Sequence, residues 1–308
     1  MTATGSGVTT TIDEVTGTPT RETHRRTSRV GKLPSKLAKM NWTGGAFGWI
    51  WLFIVMIPIY WIVITSFKTQ ANYFITNTFA PPSHPTLENY KTVIDNSVVR
   101  YFLNSVIVTV GAVVPAVTIA FMAAYAIIRG IDNRWLRWTN NMFLMGLAIP
   151  LQAVIIPIYL IIIRLKLYDS LLALVLPSIA FAIPLSVLVL SNFIRDVPRE
   201  LFESMHVDGA NEWRILWQLA FPLTRPALVT VTIYNALGIW NGFLLPLVLT
   251  TSPEKRTIPL ALFTYQGQFG VNVPAITASV TLTTIPIILL YAIGRRQLLS
   301  GLTAGFGK

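Results

Sequence analysis

Glu203, His206 and Asp208 stand close together in the segment Arg195–Arg225, RDVPRELFESMHVDGANEWRILWQLAFPLTR. A carboxylate and an imidazole three residues apart share one side of a helix, and an imidazole can move a proton or sense pH near neutrality. The rest of the chain gives that chemistry no support. The three histidines, His24, His84 and His206, are far apart in sequence, so no metal cluster is expected. There are no cysteines, which excludes thiolate catalysis, cysteine zinc sites and disulfides. No G-x-x-x-x-G-K-[ST] phosphate loop occurs, so the chain is not expected to hydrolyse ATP itself. No catalytic residue and no cofactor are expected. His206 reads as a packing residue, and the segment suits docking against another protein.

The elements that would present these residues follow from local signals. Asp196 is a plausible N-cap, with Pro198 where a first helical turn tolerates it. A helix over 199–207 places Leu201, Phe202 and Met205 on one face, free to fill a partner's cleft. Gly209 fits a helix stop, because it enters the left-handed conformation that a reversing chain needs. Asn211 can cap a second short helix carrying Trp213, Leu216 and Trp217, which Pro222 should keep from simply continuing. Glu212 reads as an exposed charge on that second helix. Two short amphipathic helices joined by a glycine elbow are predicted.

The 308 residues are 53% hydrophobic and only 12% charged, and the charges fall in short islands. Six uncharged runs reach the ~20 residues that cross the hydrocarbon of a bilayer, at about 46–67, 101–128, 139–163, 170–194, 226–249 and 274–294. Helices are the expected form, since backbone amides find no water inside lipid. The predicted fold is an all-α membrane protein of six transmembrane helices. Residues 1–40, rich in Thr and Ser and then basic, form a separate tail expected to be disordered, ahead of a six-span domain over 41–308. The net charge of +11 lies between the apolar runs and in this tail, so no nucleic-acid partner is expected. Seventeen of the 24 Lys and Arg residues fall on the side holding both termini and the 195–225 loop, which makes that side cytoplasmic. No charged residue lies within a run, which leaves a proton-coupled carrier little to work with. Neutral polar residues in the runs, among them Asn104, Gln152, Asn235 and Asn241, should face helix interfaces or a pathway rather than lipid. Outside, residues 250–273 carry Tyr265, Gln266 and Gln268, side chains suited to a sugar or its carrier.

Residues 203–210 (ESMHVDGA), followed by 219–223 (LAFPL), resemble the EAA signature of binding-protein-dependent ABC importer permeases, E-A-A-x-x-D-G-A and then apolar-x-apolar-P. Glu203, Asp208, Gly209, Ala210 and Pro222 match, while Ser204 and Met205 stand where the signature has alanines. Residues 104–106 (NSV), 123–126 (AAYA), 149–152 (IPLQ), 240–243 (WNGF) and 301–305 (GLTAG) look like the carbohydrate branch, nearest to the smaller permease of maltose-type importers. The resemblance implies a type I ABC importer permease fold in which Glu203, Ser204, Met205, Asp208, Gly209, Ala210 and Pro222 couple to an ATPase. It implies an inner-membrane sugar or oligosaccharide importer with a second homologous permease, two cytoplasmic ATPase subunits that bind ATP and Mg, and an extracytoplasmic binding protein. Asn104, Gln152, Asn235, Trp240 and Asn241 are its candidate pathway or partner-permease residues. The related alternative is import of glycerol phosphate or another polyol; an autonomous channel or secondary carrier is the alternative of a different class.

Overall fold

The computed structural model describes residues 42–130, 132–267 and 270–304. In chain order the helices are α1 (Trp42–Ser66), α2 (Gln70–Ile75), α3 (Glu88–Asp95), α4 (Val98–Arg129), α5 (Arg134–Gly146), α6 (Leu151–Arg164) and α7 (Leu172–Arg195). Next come α8 (Arg199–Val207), α9 (Glu212–Ile215), a π-helical turn at Leu216–Ala220, α10 (Phe221–Trp240), α11 (Leu244–Leu249), α12 (Ile258–Ala261) and α13 (Val273–Ala304). Ahead of α13, β1 (Gln266–Gly267) pairs antiparallel with β2 (Gly270–Val271), Gln266 opposite Val271 and Gly267 opposite Gly270. The chain divides into two units, Met1–Leu52 and Phe53–Lys308. The tail over 1–40 lies outside the described residues.

Among the described residues three helices, α1, α4 and α7, are long and apolar enough to cross a membrane, and the bent pair α5–α6 would make a fourth. The six expected spans are not each met by one such helix among the described residues. The run expected over 139–163 breaks between α5 and α6, which diverge by 106°. Pro150 explains the break: it offers no amide proton, forces Ile149 away from helical geometry, and caps α6 at φ −73°, ψ 136°. The run expected over 226–249 ends early, at Trp240. There Asn241 turns its Nδ2 back onto the Leu237 carbonyl (2.8 Å), and the six-residue α11 resumes beyond the turn. The last run lies within α13, whose described apolar part is Val273–Leu289.

α4 and α7 form the most extensive helix pairing in the fold. Ala112, Ala116, Ala120 and Ala124 recur every four residues along α4 and are fully buried, which lets the neighbouring backbones approach closely. Ser178, Ser186 and Thr224 return their hydroxyls to the carbonyls of Leu174, Ala182 and Ala220 at 2.7 Å each, so these buried groups stay paired without water. The core continues out of the spans. Val187, Leu190 and Ile194 of α7 join Phe202 of α8, Ile215 of α9 and Ala227 and Val231 of α10 in one buried cluster with α4.

Polar bonds organise the opposite face. Asn89 donates to the carbonyls of Ser66 (2.8 Å) and Lys68 (2.7 Å), closing the end of α1, and buried Lys68 donates to the Asn77 carbonyl (2.9 Å). Asp169, left-handed at φ 58°, accepts from the amides of Thr251 (2.9 Å) and Ser252 (3.0 Å) and from the Ser252 hydroxyl. It thereby ties the turn after α6 to the turn after α11. Those bonds, the Ser252 hydroxyl foremost, hold its carboxyl below the usual aspartate range.

Candidate coupling site

α8 and α9 project from the core between α7 and α10. α8 covers the predicted 199–207, but Pro198 occupies the cap position in extended geometry and Asp196 instead terminates α7. The expected Asp196 cap is thus corrected. The end of α8 is a complete Schellman motif: the Gly209 amide bonds the His206 carbonyl (3.0 Å) and the Ala210 amide reaches the Met205 carbonyl (2.9 Å). Gly209 sits at φ +76°, as the elbow reading requires. Asn211 caps α9 through its side chain, accepting from the Arg214 amide at 2.8 Å.

Pro222 does not stop the second helix. The Phe221 amide bonds Leu216, five residues back, so α9 runs through the π turn into α10 without interruption. Pro222 falls at the first turn of α10, and the wider turn ahead of it changes the register in which its missing amide would be needed.

Glu212 is exposed as expected, its side chain 55% accessible, and it is also the centre of a polar cluster. Tyr125, near the end of α4, donates its hydroxyl to the Glu212 carboxylate. Arg129, one turn later, stands 3.6 Å from that carboxylate and His206 of α8 stands 3.1 Å from it. Arg129 and His206 are themselves 2.9 Å apart, and the guanidinium lies over the Phe202 ring, 4.9 Å from its centre. Arginine only donates and a carboxylate only accepts. The same His206 Nε2 meets both groups, so in any one tautomer it either accepts from Arg129 or donates to Glu212, never both. Burial raises the Glu212 carboxyl, but the Tyr125 hydroxyl, Arg129 and His206 together outweigh it and leave it below the usual glutamate range.

Phe202 is buried by this arrangement while Leu201 is 41% exposed, so the apolar face expected to enter a partner is divided. Phe202 belongs to the chain's own core; Leu201 is the part left open, with Met205 half-buried between them. Glu203, Ser204, Asp208 and Gly209 are exposed and Ala210 is buried under the elbow. Glu203 makes no hydrogen bond or ion pair among the described residues. It edges a polar cleft of about 220 Å³ with Arg129, Asp132, Arg195 and Arg199.

The pathway candidates separate. Asn235 is buried, donates to Ser186 Oγ (2.8 Å), and lines a cavity of about 280 Å³ with Tyr234, Ser178 and Phe181. Trp240 stacks edge-on against Phe102, 5.6 Å between centres, and Asn241 and Gln152 are both exposed. Asn104 is buried at the start of α4. Its amide is bonded to the carbonyls of Glu254 (2.8 Å) and Arg256 (2.9 Å), fixing the 254–258 loop to the start of α4. Tyr265 also turns inward, against Val93, Val98 and Ala275, and burial, with Tyr101 adding to it, pushes its hydroxyl up to about 12. Gln268 lies outside the described residues, and of Gln266 only the backbone pairing in β1 is described.

The model of the family described as "Binding-protein-dependent transport system inner membrane component" matches residues 116–302. The chain belongs to this family. A putative ABC transporter permease protein, ORF2, of Caldicellulosiruptor sp. is 37% identical over 263 residues, covering 84% of this chain and 94% of its own. The diacetylchitobiose uptake system permease protein NgcG of Streptomyces coelicolor is 31% identical over 259 residues, covering 83% and 85%. In fold the chain is similar to a bacterial ABC transporter involved in import of the acidic polysaccharide alginate, with a TM-score of 0.73 at 23% identity over 82% of this chain and 94% of that one. As a member of this permease family the protein is a transport component rather than an enzyme, and it resides in the membrane.

Tyr125, Arg129 and Glu212 are the functional candidates that sequence reasoning missed. Glu212 lies 87 residues from Tyr125, and no local pattern joins them. The only signal is a tyrosine and an arginine four apart at the end of an apolar run, Tyr125 and Arg129.

Proposed function

We propose that this chain is a permease subunit of an ATP-driven importer for sugars or oligosaccharides. It crosses the membrane six times, counting the broken helices, with both termini and the α8–α9 pair cytoplasmic. One observation carries the reading: an exposed, capped helix pair bearing the EAA residues is built directly onto the buried core of the spans. A pair so placed can move spans only if something outside the chain pushes it. The reading assigns that push to an ATPase dimer, which binds ATP and Mg and closes on Glu203, Leu201 and the elbow. A second permease completes the pathway and an external binding protein delivers cargo.

Sugar as the cargo class is supported by the relatives' own substrates, diacetylchitobiose for one and alginate for the structural neighbour. It is also supported by the Tyr234–Asn235 cavity, which offers a ring face, an amide and the Ser178 hydroxyl. At about 280 Å³ it falls at the low end of ligand sites, as suits half of a pathway shared with another subunit. Alternating access results from rigid movement of the spans when the pair is displaced.

The test is reconstitution of the complex, with its ATPase and binding protein, in proteoliposomes. Cargo-loaded binding protein should accelerate ATP hydrolysis and drive accumulation of a labelled oligosaccharide. Uptake by this chain alone, without ATP, would overturn the reading.

A further inference from the structure

We infer that Tyr125, Arg129 and Glu212 are positioning residues, forming a clasp that locks the α8–α9 pair to α4 and makes α4 the lever that transmits its displacement. The inference rests on the coupling function proposed above and extends it to residues outside the EAA segment. α9 already continues into α10, but α8, nine residues long, transmits force only if it too is fixed to something longer. The clasp supplies that fixing at three points: the Tyr125 hydroxyl on Glu212, Arg129 on both Glu212 and His206, and the Arg129 guanidinium over Phe202.

α4 is a suitable lever. Its 32 residues span about 48 Å, and its alanine stripe seats it against α7 along the middle. Its far end is fixed as well: Asn104 holds the Glu254 and Arg256 carbonyls, and Ser105 Oγ accepts from the Ile258 amide at 2.9 Å. A push on the helix pair therefore reaches the opposite face through one helix bonded at both ends. Glu212 is bonded within this chain, through Tyr125, Arg129 and His206, and that separates its role from that of Glu203.

The experiment compares Tyr125→Phe, Glu212→Gln and the double variant in the reconstituted complex, measuring ATPase retention, basal hydrolysis and transport per ATP. Both single variants should keep the ATPase at the wild-type ratio yet lower transport per ATP roughly fivefold or more, the lower range of a coupling energy between sites. The double variant should lose less than the two singles combined, because the Tyr125–Glu212 bond is weakened in both, while Glu212→Gln also weakens the contacts with Arg129 and His206. Since the chain has no cysteines, a Tyr125→Cys/Glu212→Cys pair can be joined by a short bismaleimide. Joining it should restore the transport lost before cross-linking, a gain that misfolding cannot produce. Unchanged transport per ATP in the singles, additive loss in the double, or no recovery on cross-linking would overturn the clasp. Loss of the ATPase from Glu212→Gln would make Glu212 a docking residue and overturn it too. Failure of the wild-type chain to retain any ATPase would instead remove the coupling reading beneath it.

Discussion

Substitution of Gly209 isolates the geometry of the elbow from everything around it. The residue sits at φ +76°, and a Cβ built there would meet no heavy atom within 4 Å. A larger residue therefore meets no steric wall, and its whole cost is the backbone. Asparagine enters the left-handed region readily, so Gly209→Asn should be nearly silent. Alanine costs ~1–2 kcal/mol there, and a β-branched valine up to ~3 kcal/mol. If that strain is relieved by opening the Schellman bonds to Met205 and His206, ~2 kcal/mol moves the docked geometry about 30-fold toward the open one. The loop lies outside the spans, so membrane levels should not change. Transport per ATP in proteoliposomes should fall in the order Gly, Asn, Ala, Val, and hydrogen exchange at the Gly209 and Ala210 amides should rise in the same order. Wild-type transport by Gly209→Val would refute the elbow. Equal loss in Asn and Val would refute the backbone argument, because it would mean that any side chain obstructs a partner.

The other expectations concern neighbouring positions. Glu203→Lys should release the ATPase more than Glu203→Ala, a cost of ~2–5 kcal/mol where one member of a buried charge pair is removed; Glu200→Lys, exposed on the same helix, should do least in co-purification. Phe202→Ala should lower thermal stability in detergent by ~3–5 kcal/mol, since the ring is 3% exposed, whereas Leu201→Ala should leave stability intact and weaken ATPase retention. Asp169 has a depressed carboxyl, so its contribution is complete above the ordinary aspartate value and is lost as pH falls through the lower folded one. Asp169→Asn should flatten the acid limb of a melting curve taken from neutral pH downward, and an unchanged limb would exclude the bond network as its source.

Local signals describe the coupling segment well. The α8 boundaries, the glycine stop and the Asn211 cap all depend on residues within one turn of each other, and each appears as expected. Pro222 misleads because its missing amide counts against an α-helical register, and the π turn before it changes that register. The broken runs fail for a related reason. Apolarity reports that a segment is buried in lipid or protein, while Pro150 and Asn241 decide whether it stays straight. Asn104 and Tyr265 carry no local clue at all, since their partners lie far along the chain. The same distance hides Glu212, whose side chain is engaged by α4 rather than by its own helix.

The π turn at Leu216–Ala220 has one more consequence. Because α9 and α10 are a single helical rod, the number of residues in that turn fixes the azimuth at which the docking end faces relative to Asn235 and the cavity farther up. Each residue of an α-helix turns it by about 100°, so the loss of one residue here would swing Glu212 off Tyr125 while every other contact along α10 stayed in place. The turn acts as a rotational phase setting between the end that is pushed and the end that lines the route. Length at 216–220 is thus restrained together with the buried side chains of Leu216 and Ala220, whereas Gln218, exposed and bonded to Arg214 one turn back, can change so long as it is not removed.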